Sequence, residues 1–121
     1  MERQAFCYLT TRGRRTGRPH TIEIWFVVVG ASAYLMAGGR DRADWVRNLI
    51  ADSAVTLRVG EESWPGEARV VAGGTEEDTE ARRRMLAKYS TPGTGDLDSW
   101  GRSALVVAID VADWACTQLE L

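Results

Sequence analysis

The sequence contains few of the residues on which several classes of enzyme site depend. Among its 121 residues are one histidine, two cysteines and one lysine. A single histidine excludes zinc sites built from several histidines and leaves His20 as the only histidine for a Ser-His-Asp triad. Cys7 and Cys116 form no CxxC pair, which predicts reduced thiols. No Walker A, GxSxG, HExxH or GxGxxG motif occurs, so the sequence argues against hydrolases and nucleoside triphosphatases and predicts no metal site.

The composition predicts one globular domain over residues 1–121. Hydrophobic residues make up 45% of the chain and charged residues 26%, as in ordinary globular proteins. No apolar run is long enough to span a bilayer and the first residues do not form a signal-peptide pattern, so we expect a cytoplasmic protein without stable membrane insertion. The net charge of −2 argues against general nucleic-acid binding, which normally needs a basic domain.

Alternating and apolar segments predict a mainly β fold. The predicted strands are residues 5–11, 20–29, 33–38, 54–60, 62–72 and 103–111, and the tail from Trp114 could add another. Because hairpins dominate and strands do not alternate with helices, we expect an antiparallel barrel or strongly bent sheet with helices at its ends.

Two segments read as helices. The first spans about 42–52, with Asp41 as a possible cap and an apolar stripe of Val46, Leu49 and Ile50. The second opens at Thr75, with Asp78 three residues later as a variant capping box.

The stretch TTRGRRTGRPH, residues 10–20, holds four arginines: Arg12, Arg14, Arg15 and Arg18. Its glycines allow backbone N–H groups to approach an anion, and arginine forks bind phosphate or carboxylate bidentately. A second basic stretch, GGRDR at 38–42, would line the same pocket if the hairpins pack side by side. The pattern indicates an anion-binding turn, with a solvated hairpin tip as the alternative.

The run TTRGRRTGRPHTIEIWF, followed by WxxNL at 45–49 and DSAVTLRVG at 52–60, resembles the deazaflavin (coenzyme F420)-dependent nitroreductase and quinone reductase family. The resemblance is best over residues 6 to about 72. It implies a split β-barrel, FMN-binding-like, with antiparallel strands and two helices, and it implies a homodimer. This agrees with the barrel expected from the strand pattern.

The resemblance also implies roles for particular residues. In the family, the arginine turn holds the phosphate and the oligoglutamate tail of the cofactor, the next strand passes under the ring through main-chain contacts, and a loop residue and a helix complete the pocket. The matching residues are Arg14, Arg15, Thr16, Gly17 and Arg18 in the turn, Ile24, Trp25 and Phe26 in the strand, Arg40 in the loop, and Trp45 and Asn48 in the helix. His20 and Glu23 depart from the family pattern, where arginine and proline are common.

The implied activity is hydride transfer from reduced coenzyme F420 to a small planar acceptor such as a quinone or nitroaromatic. The sequence identifies no catalytic acid or base, because the cofactor itself carries the reactive carbon. Three alternatives stay open: an FMN-dependent oxidoreductase of the same barrel, a non-catalytic F420-binding protein, and a basic-loop interaction module. FMN has one phosphate and no glutamate tail, so affinity that rises with tail length would separate the two cofactors.

Overall fold

The computed structural model describes residues 4–39, 42–89 and 104–114. Within these ranges the seven strands are β1 (Cys7–Arg12), β2 (Pro19–Ile24), β3 (Phe26–Val29), β4 (Ser32–Ala37), β5 (Ala54–Val59), β6 (Glu62–Val70) and β7 (Leu105–Asp110). The helices of eight or more residues in these ranges are α1 (Asp44–Ala51) and α2 (Glu76–Tyr89). This confirms the mainly β prediction. Trp114, the first residue of the proposed tail strand, lies in a helical turn over residues 112–114, and the rest of that tail lies outside the described residues.

All seven strands belong to one antiparallel sheet, in the order β2-β1-β5-β6-β7-β4-β3. β2 and β3 follow each other in the chain but lie at opposite ends of this order, and Trp25 is the residue between them. The chain therefore joins the two ends of the curled sheet without pairing them, which is the arrangement of a split barrel. The apolar strand β7 lies in the interior of the sheet, between β6 and β4, as is usual for a strand that is apolar on both faces.

The single strand expected over residues 20–29 is wrong, because the chain breaks at Trp25. β2 pairs with β1 as far as Ile24, and β3 starts its pairing with β4 at Phe26. At the break the N–H of Phe26 donates to the hydroxyl of Tyr89 at 3.0 Å, and the ring of Tyr89 stacks on Trp25 with centroids 4.3 Å apart. The alternation of side chains continues through the break, so the pattern alone could not reveal it.

Two apolar clusters stabilise this sheet. The first fills the inside of the curl and contains the fully buried side chains of Leu9, Leu57 and Ile109. The second lies on the outer face of β3, β4 and β7, where α2 covers it with Ala81 and Met85. Within the described ranges no helix packs against the outer face of β1 and β2, which is polar, as expected for an antiparallel sheet with one solvated side.

Helix α2 begins as predicted. The N–H of Asp78 donates to the hydroxyl of Thr75 at 3.1 Å, and the carboxylate of Asp78 accepts from the N–H of Gly74 at 3.3 Å. This is a capping box whose return bond is displaced by one residue, and it satisfies two backbone donors at the helix start.

Helix α1 differs from its prediction in two respects. Its N-cap is Ala43 rather than Asp41, and Ala43 makes no side-chain cap hydrogen bond. Val46 and Leu49 are buried as expected, but Ile50 is 62% exposed and Asn48 is only 4% exposed. The buried face of α1 therefore includes Asn48 in place of Ile50. The cause is the arginine turn, which docks against that face.

Candidate anion-binding site

Residues 13–18 join β1 to β2 as a compact turn. The N–H of Gly13 donates to the Arg18 carbonyl at 2.8 Å, and the N–H of Gly17 donates to the Gly13 carbonyl at 2.8 Å. Gly17 has a φ of 73°, in the left-handed region that favours glycine. A Cβ on Gly13 would lie 2.8 Å from Nε2 of His20. The imidazole of His20 is exposed and can move, so the turn depends mainly on the positive φ of Gly17.

The turn carries hydrogen-bond donors that have no partner in the part of the chain that the structure describes. Across the described ranges, the guanidinium groups of Arg15 and Arg18 and the backbone N–H groups of Arg15 and Thr16 have no partner. The hydroxyl oxygen of Thr16 accepts from the N–H of Arg18 at 3.3 Å, which leaves the hydroxyl hydrogen available. Guanidinium forks beside backbone N–H groups are the donors that bind phosphate and carboxylate oxygens.

Arg14 is bonded differently, because it faces α1. Its backbone N–H and its Nη1 both donate to Oδ1 of Asn48, at 3.2 and 2.9 Å, and its Nη2 lies 3.3 Å from Oδ1 of Asp44. Nδ2 of Asn48 donates to the hydroxyl of Thr11 at 3.3 Å, and Thr11 is 1% exposed. Asn48 thus links β1, the turn and the helix.

An open cleft of about 420 Å³ lies between the turn, β2 and the start of α1. It is lined by Gly13, Arg14, Arg15, Thr16, His20, Thr21, Ile22, Asp44, Trp45 and Asn48. The first turn of α1 borders the cleft and has no side-chain cap, so its N-terminal N–H groups add to the positive potential there. The carboxylate in the cleft belongs to Asp44 and is paired with Arg14.

The sequence of the chain matches the family model of F420H(2)-dependent quinone reductases over residues 1–111. The chain belongs to this family. No curated protein sequence matches it significantly.

Solved structures support the fold of this family member. The heme storage protein HutZ from Vibrio cholerae superimposes with a TM-score of 0.74 at 14% identity, covering 90% of this chain and 82% of HutZ. The F420-H2 dependent reductase FDR-A gives 0.70 at 21% identity, covering 88% of this chain and 94% of FDR-A. A protein described as a domain-swapped dimer gives 0.70 at 21%, covering 91% and 82%. At these identities the likeness establishes the split-barrel fold and nothing finer.

The turn and helix residues that the resemblance selected fall into two groups. Five of them line the cleft: Arg14, Arg15, Thr16, Trp45 and Asn48. Gly17 and Arg18 complete the turn without lining this cleft, and Gly17 borders a second cleft next to Arg12. One loop of the chain therefore presents residues to two neighbouring concavities.

The strand residues and the second basic loop lie elsewhere. Ile24 is half-buried at the end of β2, Trp25 stacks on Tyr89, and Phe26 is wholly buried with its N–H and carbonyl engaged by Tyr89. None of these three residues lines the cleft. Arg40 lies outside the described residues.

Sequence reasoning did not select six residues of this region. Asp44 and Thr11 hold Arg14 and Asn48, and the others line the cleft: Gly13, His20, Thr21 and Ile22. Ile22 was detectable as the inward-facing neighbour of the turn in an alternating strand. Asp44 was detectable from its spacing, since residues four apart share a helix face and Asp44 precedes Asn48 by four.

Two ionisable groups near the first strands are perturbed but lie outside the cleft. Burial raises the pKa of the Cys7 thiol to about 12, so it is an inert core residue rather than a nucleophile. The hydrogen bond from the Tyr8 hydroxyl to the Glu23 carboxylate, 2.7 Å long, raises the pKa of that phenol. Glu23 therefore has a partner on β1 and is not drawn towards the arginines.

The described residues contain neither a metal-binding nor a membrane-spanning feature. No group of three or more histidine, cysteine or acidic side chains in these ranges could hold a metal ion. Their longest helices are too short and too polar to cross a bilayer.

Proposed function

We propose that this protein is an F420-dependent reductase that passes a hydride from the reduced cofactor to a small planar acceptor such as a quinone or nitroaromatic. The observation that carries the proposal is the coincidence of two facts. The family match spans residues 1–111, and the motif that distinguishes it forms a turn in which two cations, Arg15 and Arg18, have no partner among the described residues.

The donors of the turn fit the charges of coenzyme F420. The cofactor carries a phosphodiester and glutamate carboxylates, and Arg15, Arg18 and Thr16 offer two guanidinium groups, a hydroxyl and free backbone N–H groups. Ile22 and Trp45 supply an apolar wall in the same cleft, which suits a flat ring system. The residues present therefore fit this group.

The bound deazaflavin would supply the hydride at its C5 carbon. The part of the protein is to hold and orient. Arg15 and Arg18 would bind the anionic part, while Ile22 and Trp45 would support the ring and set its distance to the acceptor. No side chain of the cleft is assigned as a general acid, and the reduced acceptor would be protonated by water or a nearby hydroxyl.

The proposal is tested first by binding and then by turnover. The fluorescence of the protein's tryptophans is followed during titration with coenzyme F420 and, separately, with FMN, each at low and high salt. We expect F420 to bind more tightly than FMN. Its affinity should fall as the salt concentration rises, because exposed charges are screened. Reduced F420 is then mixed with quinones and nitroaromatics, and its reoxidation is followed by absorbance.

Each outcome decides between the alternatives. Binding of F420 with reoxidation by an acceptor supports the reductase. Binding without reoxidation by any acceptor indicates a non-catalytic F420-binding protein, and preference for FMN indicates the flavin branch. Binding of neither cofactor would refute the proposal and leave a solvated turn or an interaction loop.

A pair of variants assigns the binding to the turn. Arg15→Gln should weaken F420 binding by about tenfold, since it removes a charge-assisted hydrogen bond. Arg84→Gln is the matched control, because Arg84 lies on α2 and is paired with Glu80. Equal losses in both variants would mean that only the net charge of the protein matters.

We also propose that the protein is a cytoplasmic homodimer. Its edge strand β3 keeps Val28 and Val29 half-buried, so apolar surface remains there for a second copy. Sedimentation at several protein concentrations measures the assembly, and a monomer at all of them would refute it. Fractionation of cells that make the protein tests the location.

A further inference from the structure

Helix α1 presents three polar residues to the arginine turn at intervals of four. These are Asp44, Asn48 and Asp52, the last of which caps the helix C-terminus. Asp44 pairs with Arg14 at 3.3 Å, and Asp52 lies 3.9 Å from Arg12. Residues four apart share one helix face, so a single stripe of α1 meets two of the four arginines.

The three contacts of this stripe differ in strength. The carboxylate of Asp44 is 84% exposed and that of Asp52 is 40% exposed, so both ion pairs are screened by water and hold the turn weakly. Asn48 is 4% exposed, accepts two hydrogen bonds from Arg14 and donates one to Thr11. Loss of buried partners costs more than loss of exposed ones, so Asn48 is the firm link.

The guanidinium groups of Arg15 and Arg18 make no such contact within the described residues. Arg15 and Arg18 are exposed and have no partner among the described residues, whereas the charge of Arg14 is already offset by Asp44. A ligand anion therefore meets two unpaired guanidinium groups and one that is engaged with the helix. The four arginines of the turn are not equivalent.

We propose that Asn48 is a positioning residue that accepts hydrogen bonds from Arg14 and so fixes Arg14 as a structural part of the turn. Arg15 and Arg18, and not Arg14, then bind the charge of the ligand. The ligand part of this inference rests on the proposed function. It differs from the role implied by the family resemblance, in which Arg14 and Asn48 both contact the cofactor.

The positioning role is measured without ligand, by hydrogen exchange at individual backbone amides. Asn48→Leu keeps a similar side-chain volume and removes both acceptor bonds, so the Arg14 amide should exchange at least tenfold faster relative to wild type. Asn48→Asp retains the oxygen acceptors and should restore slow exchange at Arg14, which also covers the case in which the leucine variant fails to fold. Thr11→Val is the control, because it removes only the bond on the far side of Asn48. Unchanged Arg14 exchange in the leucine variant, or failure of Asp to restore it, would overturn the positioning role.

The charge assignment is measured by F420 titration at low and high salt. The double variant Arg14→Gln/Asp44→Asn keeps the net charge of the cleft, and a glutamine can still donate to Asn48. Its affinity for F420 should be within about threefold of that of the wild type, with the same salt dependence. The affinities of Arg15→Gln and Arg18→Gln should each fall about tenfold and depend less on salt.

The two levels of the proposal fail in different ways. If the wild-type protein binds F420 but the double variant loses as much affinity as Arg15→Gln, the charge assignment is wrong and the proposed function stands. If the wild-type protein does not bind F420, the proposed function and the ligand part of this inference both fall. The exchange measurement, which needs no ligand, then still decides the role of Asn48.

Discussion

The hydroxyl of Tyr89 makes two hydrogen bonds at the junction around Trp25, and its removal by Tyr89→Phe tests how much they stabilise this part of the fold. That hydroxyl accepts from the N–H of Phe26 at 3.0 Å and donates to the carbonyl of Ala5 at 2.7 Å. The phenylalanine ring can still stack on Trp25, so the substitution removes hydrogen bonds while retaining the packing.

The expected loss of stability depends on which hydrogen bonds remain for the groups that the Tyr89 hydroxyl contacts. The Phe26 carbonyl keeps its bond from Nζ of Lys88 at 2.8 Å, and Ala5 is exposed, so water can replace the hydroxyl there. The N–H of Phe26 is left without a partner in a buried place, which costs about 1–3 kcal/mol. The free energy of unfolding of Tyr89→Phe should fall by that amount.

Urea unfolding followed by tryptophan fluorescence measures this difference. Tyr34→Phe is the matched control, because its hydroxyl donates to the Glu77 carboxylate, which keeps two bonds from Arg69. The control should lose less than about 1 kcal/mol. If Tyr89→Phe is as stable as wild type, or if both variants lose equally, then the Tyr89 hydroxyl does not stabilise the junction at Trp25.

Four further predictions follow from the same structure. Gly17→Ala should lower the free energy of unfolding by about 1 kcal/mol because of the positive φ, while Gly73→Ala, which has open space and no such φ, should have little effect in the same urea assay. The Arg69 guanidinium lowers the pKa of Glu77, so the stability it provides is complete above the ordinary carboxyl range and is lost as the pH falls through the lowered value. Arg69→Gln should therefore lose at most about 1 kcal/mol at pH 7 and converge with wild type in acid, and a constant difference across this range would contradict the pairing. Cys7 should resist alkylation until the protein unfolds, as peptide mapping would show, and fast labelling of the native protein would mean that the core at β1 opens. Affinity for F420 should rise with the first glutamates of the tail and then level off as the unpaired cations are used, and a tail-independent affinity would contradict the role of the turn.

The fold was predictable from the sequence where the pattern is local. The hairpins, the capped start of α2 and the interior position of β7 follow from alternation, capping residues and an apolar run. The division at Trp25 was not predictable, because it arises from pairing with strands far away in sequence. The same side chains alternate through β2 and β3 although the two strands join opposite ends of the sheet.

The candidate site was predictable in its residue types and less so in their arrangement. The arginines and glycines of the turn indicate an anion-binding site, and the family motif adds Trp45 and Asn48. The exposure of Ile50 and the burial of Asn48 were not predictable, because the helical pattern alone favours burial of the apolar residue. The turn reverses that preference, since Arg14 and Thr11 offer Asn48 hydrogen bonds that no aliphatic side chain could accept or donate.

The charge distribution explains why such a turn needs a helix against it. Four arginines in seven positions repel one another, and this repulsion would open an isolated hairpin loop in the absence of a ligand. In this protein α1 neutralises part of that charge from one side, through Asp44 and Asp52, and fixes the backbone through Asn48. The turn is therefore formed before an anion arrives, and the remaining positive charge faces outward. If the turn binds the anionic cofactor proposed above, a preformed site would avoid the ordering cost of binding, and a protein with a net charge of −2 would still hold a polyanion at one point on its surface.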